Sequence, residues 1–227
     1  MRRDGVERNH MHDPDKFAAV SDNFIYVHRA LRCDLARIMA GGAGLFVQDF
    51  PRFARILAKH TELEDELFFP ALEERAPGAT VLTNGPHAEI EALAAELGEL
   101  AAGPGAELNA TVLHEGLTRL GTALEVHLAE EEEAVMPAMM EHFSARELWA
   151  LDGRIMEFCS PEFMAEMLPW WFIHMNAADR VAVAGNMVVG VAPEALPMLA
   201  RCIVAGLPAQ DWAQLSGRVP ALAGGVE

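Results

Sequence analysis

A chain of 227 residues, 52% of them hydrophobic, is long enough for one good core, or for a domain of ordinary size with a smaller appendage. Its 17 Lys and Arg against 34 Asp and Glu leave a formal charge of −17, which repels phosphate backbones and anionic lipid and argues against nucleic acid or a membrane surface as partner. The longest apolar run, Val181 to Ala192, falls short of the roughly 20 residues of a membrane span, and no apolar segment follows the arginines of the N-terminus, so the chain reads as soluble and without a signal peptide.

Residues 1–14 are polar and without periodicity and read as a disordered tail that includes His10 and His12, ended by the helix start at Asp13-Pro14. From there to about residue 143 the pattern is helical. Phe24, His28, Leu31, Leu35 and Ile38 recur at the spacing of one buried helix face, which Gly41 to Gly44 ends. A second helix over about 46–75 carries Phe53, Leu57, His60, Glu64, Leu67 and Ala71, and Ala76-Pro77-Gly78 closes it. The third starts at Asn84-Gly85-Pro86, buries His87, Ile90, Glu91, Ala94 and Leu97, and stops at Gly103-Pro104-Gly105. The fourth, about 107–142, has Leu113, Leu117, Leu120, Leu124, His127, Glu131, Val135 and Ala138 on one side. Strand signals are absent, and four long amphipathic helices with connections of modest length specify an all-α, up-down-up-down four-helix bundle over residues 15–143.

Residues 144–227 differ in kind. All four tryptophans, Trp149, Trp170, Trp171 and Trp212, lie here, and helix starts follow in quick succession at Ser144-x-x-Glu147, Ser160-Pro161, Asn176 and Pro193. This part reads as a C-terminal extension of short helices whose tryptophans serve core packing, an apolar cap over the bundle, or a homodimer surface. Three scattered cysteines, Cys33, Cys159 and Cys202, fit a reducing cytoplasm and read as small buried residues.

The sharpest feature is an internal echo. His60 to Pro70 and His127 to Pro137 both read H-x3-E-x5-P. Four residues advance a helix by about 400°, so His and Glu stand one turn apart on the same face and can grip one metal or bridge to its neighbour. His87 with Glu91 repeats H-x3-E without the proline, and His28 places a histidine on the first helix. A single histidine on an apolar face is more often a satisfied core residue than a ligand. Four such stripes meeting in one bundle, with glutamates on the same faces, require a cation, because facing buried carboxylates are costly without one. The candidate ligands are therefore His28, His60, Glu64, His87, Glu91, His127 and Glu131. His114 is rotated out of phase, His142 suits a helix end, His174 sits beside Trp170 and Trp171, and of Glu130 to Glu133 only Glu131 looks inward. Tyr26 points away from His28 and receives no role. Imidazole and carboxylate together suit two iron ions better than zinc, with manganese as the alternative. The Glu-x-x-His order of carboxylate-rich di-iron bundles is missing from these helices.

The segments Val27-His28-Arg29-Ala30-Leu31, His60 to Pro70, Pro86 to Ile90 and His127 to Pro137 together resemble the hemerythrin-like, HHE cation-binding family across about residues 15–143. The resemblance implies His28, His60, His87 and His127 as terminal iron ligands, Glu64 and Glu131 as bridges, an oxo- or hydroxo-bridged pair of iron ions, and an open position for dioxygen, peroxide or nitric oxide. Where oxygen-carrying members have a second histidine on the third helix, this chain has Glu91, and Thr61 follows the histidine of the second. The leading expectation is binding of dioxygen or a related small ligand for sensing, storage or delivery. The rival is a di-iron redox enzyme with catalase-like activity, in which Glu91 or a carboxylate of the 130–133 run handles protons. A third reading is an iron- or oxygen-responsive interaction module. No catalytic residue is assigned.

Overall fold

The computed structural model describes residues 13–81, 84–103 and 109–225, and every regular element among them is helical. The expected disordered tail, with His10 and His12, lies outside the described residues as far as residue 12, and the Gly103-Pro104-Gly105 break lies outside them beyond residue 103. Helix α1 (Pro14–Ser21) begins where predicted: the Asp13 carboxylate accepts hydrogen bonds from the amides of Asp15 and Lys16 at 3.1 and 3.2 Å, and Pro14 sits in the first turn. A π-helical turn, Asp22–Tyr26, leads into α2 (Val27–Leu63), a second π turn, Glu64–Phe68, and α3 (Phe69–Arg75). Then come α4 (Asn84–Ala102), α5 (Ala110–Glu130), a third π turn, Glu131–Val135, and α6 (Met136–His142).

The glycine stretch that was expected to end the first helix interrupts α2 at one residue. Gly42 adopts φ 69° and ψ −168°, a conformation that an L side chain resists. The chain resumes its helix at once, and Arg37 ties the two sides of the kink together, bonding Asp34 before it at 2.6 Å and Asp49 after it at 2.7 Å.

The two π turns of the echo have a common cause. Pro70 and Pro137 lack an N–H and crowd the carbonyl four residues back, so the helix cannot close an ordinary turn onto Glu66 or Glu133. Instead the residue before each proline donates to the carbonyl of the motif glutamate five residues earlier: Phe69 to Glu64, and Met136 to Glu131. Each widened turn inserts one residue and moves the buried phase along by one. The stripe expected at Ala71 is accordingly carried by Leu72, and that expected at Ala138 by Met139, both with no exposed surface.

The chain divides into two compact units. One runs from Leu31 to Ala138; the other joins the residues before Leu31 to those from Met139 onward. In the first, α4 packs against α5, and large side chains such as Phe46, Phe50, Phe53, Phe68 and Leu120 are fully buried. In the second, α1 packs against α7 (Ala145–Phe158) and α9 (Ala177–Gly190), while α10 (Leu196–Gly206) packs against α8 (Pro161–His174); α11 (Ala209–Arg218) lies on α9. The helix starts read from sequence recur here as caps. Ser144 and Glu147 form a capping box, Ser160 accepts from the Phe163 amide at 3.1 Å, and Asn176 accepts from Ala178 and Asp179. Pro193 opens a short 3-10 turn before α10. Trp170 and Trp171 are buried, whereas Trp149 and Trp212 are half-buried. Cys159 is buried as expected, Cys202 is half-buried and Cys33 is exposed; none forms a disulfide. No described helix is long and apolar enough to cross a membrane.

The kink supplies a direct test of the backbone argument. A Cβ at Gly42 or Gly44 would meet nothing within 4 Å, but only Gly42 has positive φ. Gly42→Ala is expected to destabilise by about 1 to 2 kcal/mol, and Gly44→Ala to stabilise by up to about 1 kcal/mol; urea unfolding of the two variants measures both.

Candidate metal centre

Five of the seven residues singled out in the sequence come together within the Leu31–Ala138 unit: His60, Glu64, His87, His127 and Glu131. The one-turn spacing of the motif is realised in both copies, His60 Nε2 standing 3.3 Å from Glu64 Oε1 and His127 Nε2 standing 3.1 Å from Glu131 Oε1. Helix α4 adds His87, whose Nε2 lies 3.6 Å from Glu64 Oε2, 3.7 Å from Glu131 Oε1 and 2.9 Å from His127 Nε2. One ligating atom from each of Glu64, His87, His127 and Glu131 falls within 4.8 Å of all the others. The His87 ring is fixed by stacking on Phe69 at 5.6 Å and stands perpendicular to the His127 ring. On its outer edge, His87 Nδ1 lies 2.9 Å from Asp65 Oδ1.

His28 belongs to the other unit, where it is fully buried and its ring meets Phe24 edge-on at 6.2 Å. Glu91 corrects the sequence reading: it is exposed. The buried face of α4 follows His87, Ile90, Leu93, Leu97 and Ala101, so it drifts to the three-residue side of His87, and Glu91 lies about 100° from Ile90. The remaining histidines behave as expected. His114 and His142 are exposed, and His174 is half-buried with its ring 5.6 Å from that of Trp170. Tyr26 is half-buried beneath the Arg29 guanidinium, and of Glu130 to Glu133 only Glu131 is buried.

Glu64 is 1% exposed and Glu131 has no exposed surface. Neither oxygen of Glu64 accepts a hydrogen bond, and Nδ1 of His127 makes none. Burial, reinforced by the charge of Glu131, pushes the Glu64 carboxyl well above the usual carboxylate range. Burial also raises Glu131, against the opposing effect of His87. For His127, burial and then the neighbouring His87 hold the imidazole down to about 3. His87 goes the other way: burial lowers it, but Glu131 and Asp65 outweigh that and leave it raised. A pocket that pushes two buried carboxyls toward their protonated form, with imidazole nitrogens at hydrogen-bond distance from each other beside them, is one that a bound cation would relieve. Imidazole and carboxylate donors in this arrangement fit a transition-metal cation of borderline hardness.

A sequence profile of the hemerythrin HHE cation-binding domain matches residues 19–139. The chain belongs to the hemerythrin HHE family. Among curated proteins it is similar to zinc finger protein BRUTUS-like of Arabidopsis thaliana, with 27% identity over 190 residues; the match covers 75% of this chain but only 15% of that much longer protein. No solved structure matches the chain. As an HHE protein it carries its cluster of buried His and Glu within the matched region, on both copies of the repeated motif and on α4. Two features escaped the sequence reading. Asp65 was passed over because its position next to Glu64 gave no hint that it would reach a third helix. The motif prolines were noted but given no structural role, although their equal distance from the two glutamates was the signal for the paired π turns.

The shifted carboxyls carry a pH prediction for the metal-free HHE protein. A carboxyl raised by folding stays protonated in the folded chain after the unfolded chain has released its proton. Its contribution to stability is therefore complete below the ordinary carboxylate range and is lost as pH rises through the raised value. His127, held neutral, works in the opposite direction below its own ordinary range. Glu64→Gln removes one charge of the pair and leaves His127 in place. Across about pH 5 to 8, thermal unfolding of the metal-free protein should show wild type losing more stability with rising pH than Glu64→Gln; equal slopes would contradict the buried-charge account.

Proposed function

We propose that this HHE protein holds two iron ions and uses them to bind dioxygen or a related small ligand, such as peroxide or nitric oxide, for sensing, storage or delivery. The observation that carries the reading is the convergence of Glu64, His87, His127 and Glu131, all buried, within 4.8 Å inside the region matched by the HHE profile. The residues of the Leu31–Ala138 unit that would hold the two ions are His60, Glu64, His87, His127 and Glu131, and the family resemblance alone adds His28; Glu91 drops out because it is exposed. A bound iron pair supplies the electrons for reversible ligand capture, and manganese would occupy the same donors less characteristically.

The residues themselves favour binding over turnover. Peroxide disproportionation needs a side chain that carries protons to and from the site. Of Glu91 and the 130–133 run, Glu91 and Glu133 are exposed, Glu130 is half-buried, Glu132 is held by Arg32 at 2.6 Å, and Glu131 belongs to the proposed ligand set. The burial of Glu64, His127 and Glu131 limits the access of water to the cluster, a condition that preserves a bound ligand.

Reconstitution with ferrous iron under anaerobic conditions should give about two metal atoms per chain, and His60→Ala should lower that content. Dioxygen should then produce charge-transfer absorption that disappears when oxygen is removed. Fast, irreversible oxidation with peroxide consumption would reject the carrier or sensor reading in favour of the enzyme, and wild-type protein without metal would reject both.

A further inference from the structure

Asp65 is the group at the centre that neither the motif nor the proposed ligand set uses. It follows Glu64 at the second position of the π turn Glu64–Phe68. Successive helical residues diverge by about 100°, so Glu64 faces the buried cluster while the Asp65 side chain, 43% exposed, lies toward its edge. From there its Oδ1 reaches His87 Nδ1 on α4 at 2.9 Å, across a separation of 22 residues. A carboxylate can only accept, so His87 Nδ1–H donates. That leaves Nε2 as the one ring nitrogen of His87 able to take a metal, and Nε2 is the atom that faces Glu64, Glu131 and His127.

The second copy of the motif is built differently. The residue after Glu131 is Glu132, and its carboxylate accepts from Arg32 at 2.6 Å. Among the described residues His127 has no hydrogen-bond partner at Nδ1. Two histidines of one cluster thus differ among the described residues: a carboxylate stands behind His87, and Nδ1 of His127 has no hydrogen-bond partner.

We infer that Asp65 is a positioning residue that fixes the ring orientation and proton position of His87, and thereby sets the metal affinity of the half of the centre to which His87 belongs. The inference rests on the metal-binding reading above. A carboxylate behind a ligating histidine raises its basicity and locks its rotation, and loss of such a partner typically costs about 10- to 100-fold in metal affinity. Stacking of the ring on Phe69 limits rotation about the side chain but does not choose which nitrogen carries the proton.

The test uses full-length wild type, Asp65→Ala and Asp65→Asn. Cobalt(II) is titrated against a competing chelator, and the imidazole nitrogens of His87 are followed by nitrogen-15 NMR in the metal-free state. Asp65→Ala should weaken one of two cobalt equivalents about 10- to 100-fold, alter its ligand-field bands, and move His87 from a single Nδ1–H form to a mixture. Asp65→Asn keeps an acceptor oxygen without the charge and should fall between. Because Asp65 is partly exposed, both variants are expected to fold, which thermal unfolding checks; should Asp65→Ala fail, Asp65→Asn carries the comparison. Two cobalt equivalents within twofold of wild type, with unchanged bands and an unchanged proton position, would overturn the role of Asp65 and leave the metal centre standing. Wild-type protein that takes up no cobalt would overturn the metal reading itself, and the role of Asp65 toward a metal with it.

Discussion

Two glutamates with almost no exposed surface face one another at the heart of the Leu31–Ala138 unit, and the surrounding structure depends on how their charge is met. An isolated buried carboxylate costs several kcal/mol, and two together cost more because each repels the other. Apolar residues at both positions would make a tighter and more stable core. Glutamates there oblige the protein either to hold protons at a pH where carboxylic acids normally release them, or to hold a cation. Three Nε2 atoms stand within 3.7 Å of the glutamate oxygens, so the same pocket offers both nitrogen and oxygen donors to whatever positive charge it holds.

The geometry that presents these groups originates in the helix backbone. Proline six residues after each glutamate removes an amide and blocks an ordinary turn, and the helix answers by widening around the glutamate itself. The widened turn frees the residues after Glu64 and Glu131 from strict helical phase, so Leu72 and Met139, not Ala71 and Ala138, continue the buried stripe. A π turn is a weaker backbone arrangement than the α-helix it replaces, and it occurs here at both motif glutamates. Local backbone stability is lower where the ligands need to be placed, and the apolar stripes before and after each turn hold it in position.

Long-range order was legible from sequence because it follows from periodicity and punctuation. The helical class, the cap at Asp13, the interruption at the glycine stretch, the caps at Ser144, Ser160 and Asn176, and the inward phase of His60, Glu64, His127 and Glu131 all come from signals spanning a few residues. Glu91 was misread because the apolar residues near the start of α4 admit two faces. The expected stripe ran through Ile90, Glu91 and Ala94, whereas the packed helix keeps Ile90 and buries Leu93 in place of Glu91. Alanine and leucine differ in how much area they bury, and giving greater weight to Leu93 would have resolved the ambiguity. The Asp65 contact was beyond reach for a different reason: it joins residues 22 apart on different helices and is defined by a turn whose widening periodicity does not reveal.

The repeated motif reads as two equal halves, but their electrostatics are unequal. After Glu64 the chain places a carboxylate against an imidazole; after Glu131 it places one against Arg32, which also bonds Glu125 at 2.8 Å. The first arrangement adds electron density toward the cluster through His87. The second pairs its carboxylate with a guanidinium. The overall charge of −17 strengthens this distinction, since an acidic surface raises the potential energy of every further negative charge and draws cations toward the protein. With 17 Lys and Arg against 34 Asp and Glu, an arginine shared between Glu125 and Glu132 offsets two carboxylates at once beside the second copy of the motif.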